Sequence, residues 1–283
     1  MMREHDSRVR LAASDARSWL LVNATAGASF DFDDAHRSPA DQVILDLEDA
    51  VDPGNKPSAR LAVAAWLSPQ NAAWVRINAA STPFWEEDLE VLAGHLGLAG
   101  VVLAKAETAK EVVDTVQRLG TATPVIPLIE SAVGIELAVS IATVPGVARL
   151  AFGSGDYRRD TGTANDNLAM AYPRSRLVIA SRIGGLPGPI DGPTVGSSHP
   201  QLREQAAVSV ALGMTGKLCL DLEQPRVINE CMSPSPSDVA WALEFLADFE
   251  RGGRVIRDGS DKPRLARAET ISERAARFGV AAG

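Results

Sequence analysis

Charged side chains stand at the ends of five apolar runs, and this placement is the clearest chemical signal in the sequence. The runs end in Asp46-Leu47-Glu48-Asp49, Arg76-Ile77-Asn78, Lys105-Ala106-Glu107, Glu130 and Asp156-Tyr157-Arg158-Arg159. Most of these runs are continuously apolar, which is typical of parallel strands that are buried on both faces. The carboxyl ends of the strands of a parallel barrel lie on one face, so we expect these side chains to converge there.

Several carboxylates at one place repel one another and raise one another's pKa values unless a cation neutralises them. An all-oxygen ligand set without histidine or cysteine favours Mg²⁺ or Mn²⁺ over zinc. The histidines and cysteines are scattered without metal-ligand spacing, at His5, His36, His95, His199, Cys219 and Cys231. For any single charged residue, a helix cap or an ion pair with a lysine is the alternative interpretation.

Strand-like runs alternate with helical segments along the chain, and their starts lie roughly 25 to 35 residues apart, about the size of one βα unit. The predicted strands are Ser18–Asn23, Gln42–Leu47, Ala73–Asn78, Gly100–Lys105, Pro124–Ile129, Ala148–Gly153, Leu186–Ile190 and Lys217–Leu222. The predicted helices are Lys56–Leu67, Phe84–Leu96, Thr108–Leu119, Ser131–Ala142, Asn165–Arg182, Pro200–Leu212 and Ser237–Arg251. The pattern predicts an α/β fold, a TIM (β/α)₈ barrel over residues 1–252, with an open doubly wound sheet as the alternative.

The last segment, residues 253–283, carries many charges and few large apolar side chains. It contains a predicted turn at Arg257–Ser260 and a final helix at Pro263–Phe278. We interpret it as a C-terminal helical extension or lid, and composition alone would favour a frayed appendage.

Composition excludes several classes of protein. Hydrophobic residues make up 46% and charged residues 23% of the chain, a globular mixture that argues against disorder. The net charge of −8 argues against a nucleic-acid partner. The apolar runs are shorter than the roughly 18 residues of a membrane span. The charged start has no apolar segment behind it, so we expect no secretory signal, and two cysteines fit a reducing cytoplasm.

Seven segments carry a family pattern in a fixed order. They are Val43–Val51 with Lys56 and Arg60, Val75–Asn78, Leu103–Glu107, Leu128–Gly134, Ala151–Asp156, Asp191–Pro193 and Gly213–Lys217. Together they resemble the HpcH/HpaI aldolase and citrate lyase β-subunit-like family. The resemblance implies a TIM barrel, Mg²⁺, and cleavage or formation of a carbon–carbon bond through an enolate in 3-hydroxyacyl-CoA esters such as malyl- or citramalyl-CoA. It also implies homotrimers or hexamers.

The resemblance assigns roles to individual residues. Glu130 and Asp156 match the metal ligands, and Arg76 matches the arginine that binds the substrate carboxylate during catalysis. Asp261 matches a catalytic acid or base that comes from a neighbouring subunit. Arg17 and Lys105 are further candidates for substrate binding.

Two carboxylates of the second strand have a supporting role in this interpretation. We expect Glu48 and Asp49 to hold metal-bound waters and to orient Arg76 or Lys105. Asp46 is interpreted as part of the barrel packing.

The sequence departs from the family pattern near the expected site. Gly155 stands where the family has Glu, and two stretches replace the family's Ile-His-Pro and Val-Pro-Gly, namely Leu220-Asp221-Leu222 and Val22-Asn23-Ala24. Two alternatives to the acyl-CoA lyase therefore stay open. One is a binding or regulatory barrel without turnover, and the other is an aldolase for a 2-oxo-acid aldol without CoA. The expected partners are small molecules, a 2-oxo acid with or without an acyl-CoA.

Overall fold

The fold is a closed barrel of eight parallel strands, seen in a computed structural model that describes residues 10–25, 31–196 and 198–283. The strands are β1 Ser18–Asn23, β2 Gln42–Asp46, β3 Ala73–Ile77, β4 Leu98–Leu103, β5 Val125–Ile129, β6 Ala151–Phe152, β7 Ile190–Asp191 and β8 Gly216–Cys219. They follow chain order around the barrel, and β1 pairs with both β2 and β8. The predicted TIM barrel is confirmed, and the open sheet is wrong.

Helices follow the strands as the alternation predicts. They are α1 Phe32–Arg37, α2 Lys56–Trp66, α3 Pro83–Leu92, α4 Ala109–Leu119, α5 Ala132–Ala142, α6 Ser154–Thr161, α7 Ala171–Ile183, α8 His199–Ala211, α9 Gln224–Cys231, α10 Pro236–Arg251 and α11 Asp261–Phe278. The capping box of α4 forms, since Thr108 and Glu111 bond each other's backbone N–H groups. None of the described helices is both long enough and apolar enough to span a bilayer.

Several boundaries differ from the prediction. The helix predicted from Asn165 begins only at Ala171, because the preceding segment consists of turns after the left-handed Gly162, which ends α6. The helix predicted from Ser237 begins at Pro236, and its cap is Ser235, whose hydroxyl accepts from the Asp238 N–H at 3.1 Å. Pro at the first position of a helix favours this earlier start.

The chain forms two compact units, whose boundary lies between Asn229 and Glu230. The first contains the barrel, and the second contains α10 and α11. Within the second unit, the guanidinium groups of Arg264 and Arg267 each lie 4.9 Å from an aromatic ring of α10. The helical character of the C-terminal extension is confirmed, and its predicted start at residue 253 stays a prediction.

A buried arginine closes the amino-terminal end of the barrel. Arg149 is fully buried and donates to the carbonyls of Ala13, Ala16 and Gly188 at 2.6–3.0 Å and to the Thr215 hydroxyl at 2.7 Å. Each of these partners lies just before a strand or in the segment leading into β1. The guanidinium therefore supplies hydrogen-bond donors to backbone carbonyls at the points where the chain enters these strands.

We expect Arg149→Met to lower the free energy of unfolding by about 3 kcal/mol, because three buried carbonyls and the Thr215 hydroxyl would each lose a charged donor. The control is Lys110→Met, since Lys110 forms an ion pair with Asp114 in which the lysine is 81% exposed. Urea unfolding of both variants measures the difference. Equal unfolding midpoints in the two variants would contradict the structural role of Arg149.

Candidate functional site

An arginine held by two carboxylates lies at the carboxyl ends of β2 and β3. The Arg76 Nε and Nη2 groups donate to the two carboxylate oxygens of Asp46 at 2.7 and 2.5 Å, and Nη1 lies 3.3 Å from Glu48 Oε2. Burial alone would lower the pKa of Arg76, but Asp46 and then Glu48 outweigh it and raise the pKa above its ordinary value. The bidentate pair fixes the plane of a permanently charged guanidinium.

Lys105, just after β4, contacts four carboxylates. Its backbone N–H donates to Glu130 Oε1 at 2.8 Å. Its ammonium bonds Glu48, lies 3.0 Å from Asp49 Oδ1 and lies 3.6 Å from Asp156 Oδ2. The φ angle of Lys105 is +51°, in the left-handed region that non-glycine residues rarely occupy. Such strained backbone persists where the surroundings impose it, and it concentrates at functional sites.

Glu130, just after β5, is a buried carboxylate in a negatively charged neighbourhood. Burial raises its pKa to about 8, the Asp156 and Glu48 carboxylates add to this effect, and Arg76 opposes it. The neighbouring strand makes room for it, because a Cβ atom at Gly153 would overlap the Glu130 carboxylate. The crowding of negative charge that the sequence predicts is therefore present at the end of β5.

Glu48 and Asp49 both contact the ammonium of Lys105, but their pKa values are shifted in opposite directions. Burial raises the pKa of Glu48, with Arg76 opposing the change. Burial also acts to raise the pKa of Asp49, but hydrogen bonds with Glu48 and Lys105 outweigh it and lower that pKa. The half-exposed Asp49 thus keeps its negative charge at the rim of the cluster.

The residues present fit a Mg²⁺ ion. Within the described ranges, no three His, Cys, Asp or Glu side chains form a complete ligand set by themselves. Mg²⁺ usually takes one or two carboxylates and completes its shell with water and substrate oxygens. Glu130 and Asp156 could supply those two carboxylates, and a cation between them would relieve the repulsion that adds to the effect of burial on the pKa of Glu130.

Arg17 is not brought to this cluster. It precedes β1, and its Nε and Nη2 groups bind the carboxylate of Asp41, just before β2, at 2.8 and 3.0 Å. Both residues therefore lie at the amino-terminal end of the barrel, opposite the charged cluster. We do not retain Arg17 as a substrate-binding candidate, because its position before a strand places it at the wrong end.

Asp261 is the first residue of α11 in the second unit. Its carboxylate accepts a hydrogen bond from the Arg257 N–H at 2.7 Å, a contact that closes the turn before the helix. The alternative interpretation of Asp261, a cap of the final helix, is wrong, because Ser260 occupies the N-cap of α11 and the Asp261 carboxylate bonds an N–H that precedes the helix. The role of Asp261 as an acid stays a prediction.

The sequence did not predict a network of buried polar side chains next to the cluster. Lys56, Asn78 and Asp88 are nearly or fully buried and are linked by hydrogen bonds. One signal was available, since Asp88 falls on the buried stripe of α3 between Trp85 and Leu92. A carboxylate at such a position needs a buried partner.

Comparison with known proteins decides the family. Residues 25–221 match the model of the HpcH/HpaI aldolase/citrate lyase family, and residues 237–279 match that of the HpcH/HpaI aldolase C-terminal domain. The chain belongs to the HpcH/HpaI aldolase/citrate lyase family. The resemblance on which the sequence analysis rested is confirmed.

Relatives of this family member are named as lyases. A citrate lyase subunit beta-like protein from Deinococcus radiodurans is 34% identical in an alignment of 259 residues, and the match covers 83% of this chain and 89% of that protein. An L-malyl-CoA/beta-methylmalyl-CoA lyase from Rhodobacter capsulatus is 31% identical over 259 residues, covering 78% of this chain and 80% of that protein. The chain is thus a carbon–carbon lyase of a family whose members act on CoA-related substrates.

A solved structure of similar fold holds ligands. It is protein CitE from Mycobacterium tuberculosis in complex with magnesium, acetoacetate and coenzyme A. The likeness has a TM-score of 0.76 at 29% identity and covers 93% of this chain and 99% of that chain.

Proposed function

We propose that the protein cleaves or forms a carbon–carbon bond in a 3-hydroxyacyl-CoA thioester of the malyl- or citramalyl-CoA type, with Mg²⁺ as cofactor. The observation that carries the proposal is the position of a fixed guanidinium, Arg76, near the buried carboxylate of Glu130, which in turn lies near Asp156. A 2-oxo acid needs both features, a cation for its carboxylate and a metal for its oxo group. The names of the malyl-CoA lyase relative and the ligands of the CitE structure support this substrate class.

Arg76 would bind the carboxylate of the 2-oxo acid. A guanidinium has five N–H groups, and the two hydrogen bonds to Asp46 and the ion pair with Glu48 leave further N–H groups on the terminal nitrogens. Because Asp46 holds the plane of Arg76, those groups are already oriented for a planar carboxylate. Binding then costs little reorganisation of the protein.

In the cleavage direction, the bond between the α-carbon and the hydroxyl-bearing β-carbon breaks. The hydroxyl gives its proton to a base and becomes the oxo group of the released acid, while the electrons of the broken bond pass to the thioester as an enolate. Mg²⁺ bound by Glu130 and Asp156 would polarise the oxygen at which negative charge develops. Lys105 would hold the surrounding carboxylates in place, and Asp261 of a neighbouring subunit would protonate the enolate carbon.

An activity assay separates this proposal from its alternatives. Malyl-CoA, citramalyl-CoA and the corresponding free aldols are each incubated with Mg²⁺ or with a chelator, and release of the 2-oxo acid is followed. We expect release from a thioester with Mg²⁺ and none with the chelator. Cleavage of a free aldol alone would support the aldolase without CoA. Mg²⁺ binding without turnover of any substrate would support the binding barrel.

Arg76→Lys should raise the KM for the 2-oxo acid in the condensation direction by about 10- to 100-fold, because an ammonium cannot form the paired contacts of the guanidinium. Arg118→Lys is the control, since Arg118 forms a half-exposed ion pair with Glu86. Initial rates and melting curves are measured for both. A loss of stability with an unchanged KM would instead assign Arg76 to bracing the loop after β2.

A further inference from the structure

A buried lysine lies beneath the loop that carries Glu48 and Asp49. Lys56, in the first turn of α2, is only 6% exposed. Its ammonium donates to the carbonyls of Leu47 and Glu48 at 2.9 and 3.0 Å and to Asn78 Oδ1 at 2.7 Å. An ammonium has three N–H groups, so these three acceptors account for all of them.

Asn78 connects this lysine to α3. Its side-chain amide donates to the Leu47 carbonyl at 3.1 Å and to Asp88 Oδ2 at 2.7 Å, and its backbone N–H donates to the same carboxylate oxygen at 3.0 Å. These bonds fix the orientation of the amide, so its oxygen faces Lys56. Asn78 also directly follows the end of β3, two residues after Arg76.

The Lys56 ammonium thus fixes the loop after β2 at two consecutive carbonyls, those of Leu47 and Glu48. From the same loop, the Glu48 carboxylate contacts Arg76 Nη1 at 3.3 Å and bonds the Lys105 ammonium. The backbone N–H of Glu48 donates to Asp46 Oδ1 at 2.9 Å, so the loop and the arginine share one carboxylate. A shift of the loop would therefore move the groups that orient Arg76.

We propose that Lys56 is a positioning residue that sets the loop of residues 47–49 and, through Glu48, the orientation of Arg76 and Lys105. The proposal rests on the proposed function, because Arg76 and Lys105 are the groups of that site. Supporting residues that orient binding groups typically change affinity or activity by about 10- to 100-fold when they are removed.

A purely structural role is the alternative, and α2 supplies the matched control. Arg60 lies one turn after Lys56 on the same helix and is also a buried cation. Its guanidinium binds Asp88 at 2.9 Å and Glu87 at 3.0 Å, both on α3. Among the described residues, its hydrogen bonds connect it to the loop through Asp88 and then Asn78. Replacing either Lys56 or Arg60 with an uncharged residue removes a buried charge from α2. Only the replacement of Lys56 removes a direct contact with the loop.

The experiment compares Lys56→Met with Arg60→Met in the full chain. Hydrogen exchange is read at the amide of Glu48, which donates to Asp46 Oδ1, and at that of Val51, which donates to the Glu48 carbonyl. The KM for a 2-oxo acid is measured in parallel. We expect Lys56→Met to accelerate exchange at these amides about tenfold or more. We also expect it to raise the KM by about 10- to 100-fold. Arg60→Met should lower the melting temperature but leave both readouts nearly unchanged.

Lys56→Arg is a second variant, which tests the proposal if Lys56→Met does not fold. It keeps the charge, but its planar fork cannot reach three divergent acceptors, so exchange in the loop should still accelerate. Equal changes in the Lys56 and Arg60 variants, or unchanged exchange in both Lys56 variants, would overturn the proposal. The exchange measurement needs no substrate. An inactive wild-type enzyme would therefore refute the proposed function. The exchange measurement would still decide whether Lys56 positions the loop.

Discussion

Replacing Glu130 with Gln should abolish measurable Mg²⁺ binding and lower kcat/KM by at least about 10³-fold, because the site would lose one of two anionic ligands and the charge stabilisation that the metal supplies. The amide has nearly the same shape as the carboxylate but no charge. Burial raises the pKa of Glu130 to about 8, so the charged form is disfavoured by the fold. The unfolding midpoint of Glu130→Gln should therefore stay at or above that of the wild type.

Asp156→Asn should show the same loss, since Asp156 contributes the second carboxylate. The control is Glu107→Gln, which changes a carboxylate in the segment between β4 and α4, where the Glu107 N–H donates to Glu111 Oε2 at 2.9 Å. Calorimetric titration with Mg²⁺ measures all three variants. Unchanged Mg²⁺ affinity in both Glu130→Gln and Asp156→Asn would show that the metal site is misplaced.

Asp261→Asn should lower kcat by about 10²- to 10⁴-fold, the usual contribution of a positioned acid or base. If the acid acts on a neighbouring subunit, inactive Asp261→Asn chains mixed with inactive Glu130→Gln chains should regain activity. With equal mixing, each competent site needs a barrel from one variant and an acid from the other, so recovery is limited to about a quarter of the wild-type activity.

A neighbouring aspartate controls for the turn before α11. Asp258 accepts from the Ser260 N–H and hydroxyl at 2.6 Å, so Asp258→Asn perturbs the same turn without removing the proposed acid. It should retain most of the activity. Full activity in Asp261→Asn would leave that residue with the turn contact to Arg257 alone, and failure of the mixed chains to recover would contradict action between subunits.

The barrel was predictable because its strands are buried on both faces and leave continuous apolar runs. The bounds of β1 agree with the prediction, whereas β6 is only Ala151–Phe152 although an apolar run begins at Ala148. Pairing with the neighbouring strands sets the length of β6, and that pairing depends on barrel geometry rather than on local sequence. The convergence of Arg76 and Glu130 followed from a general rule, that carboxyl ends of parallel strands share one face.

The support beneath the site was not predictable in the same way. Lys56 and Asn78 are 22 residues apart, and nothing in the local pattern of either indicates their contact. The left-handed backbone of Lys105 is likewise imposed by tertiary contacts, since a lysine does not favour that conformation. Arg17 could have been excluded from the sequence alone, because residues before a strand lie at the end opposite the site.

The most direct test of the account is the position of the metal and of a 2-oxo acid in the same crystal. Crystals of the full chain are soaked with Mn²⁺ and pyruvate, and the anomalous signal of manganese locates the ion. The account predicts an ion bound by Glu130 and Asp156, a pyruvate carboxylate paired with Arg76, and Glu48 or Asp49 within one bridging water of the metal. An ion bound elsewhere, or a pyruvate carboxylate away from Arg76, would contradict it.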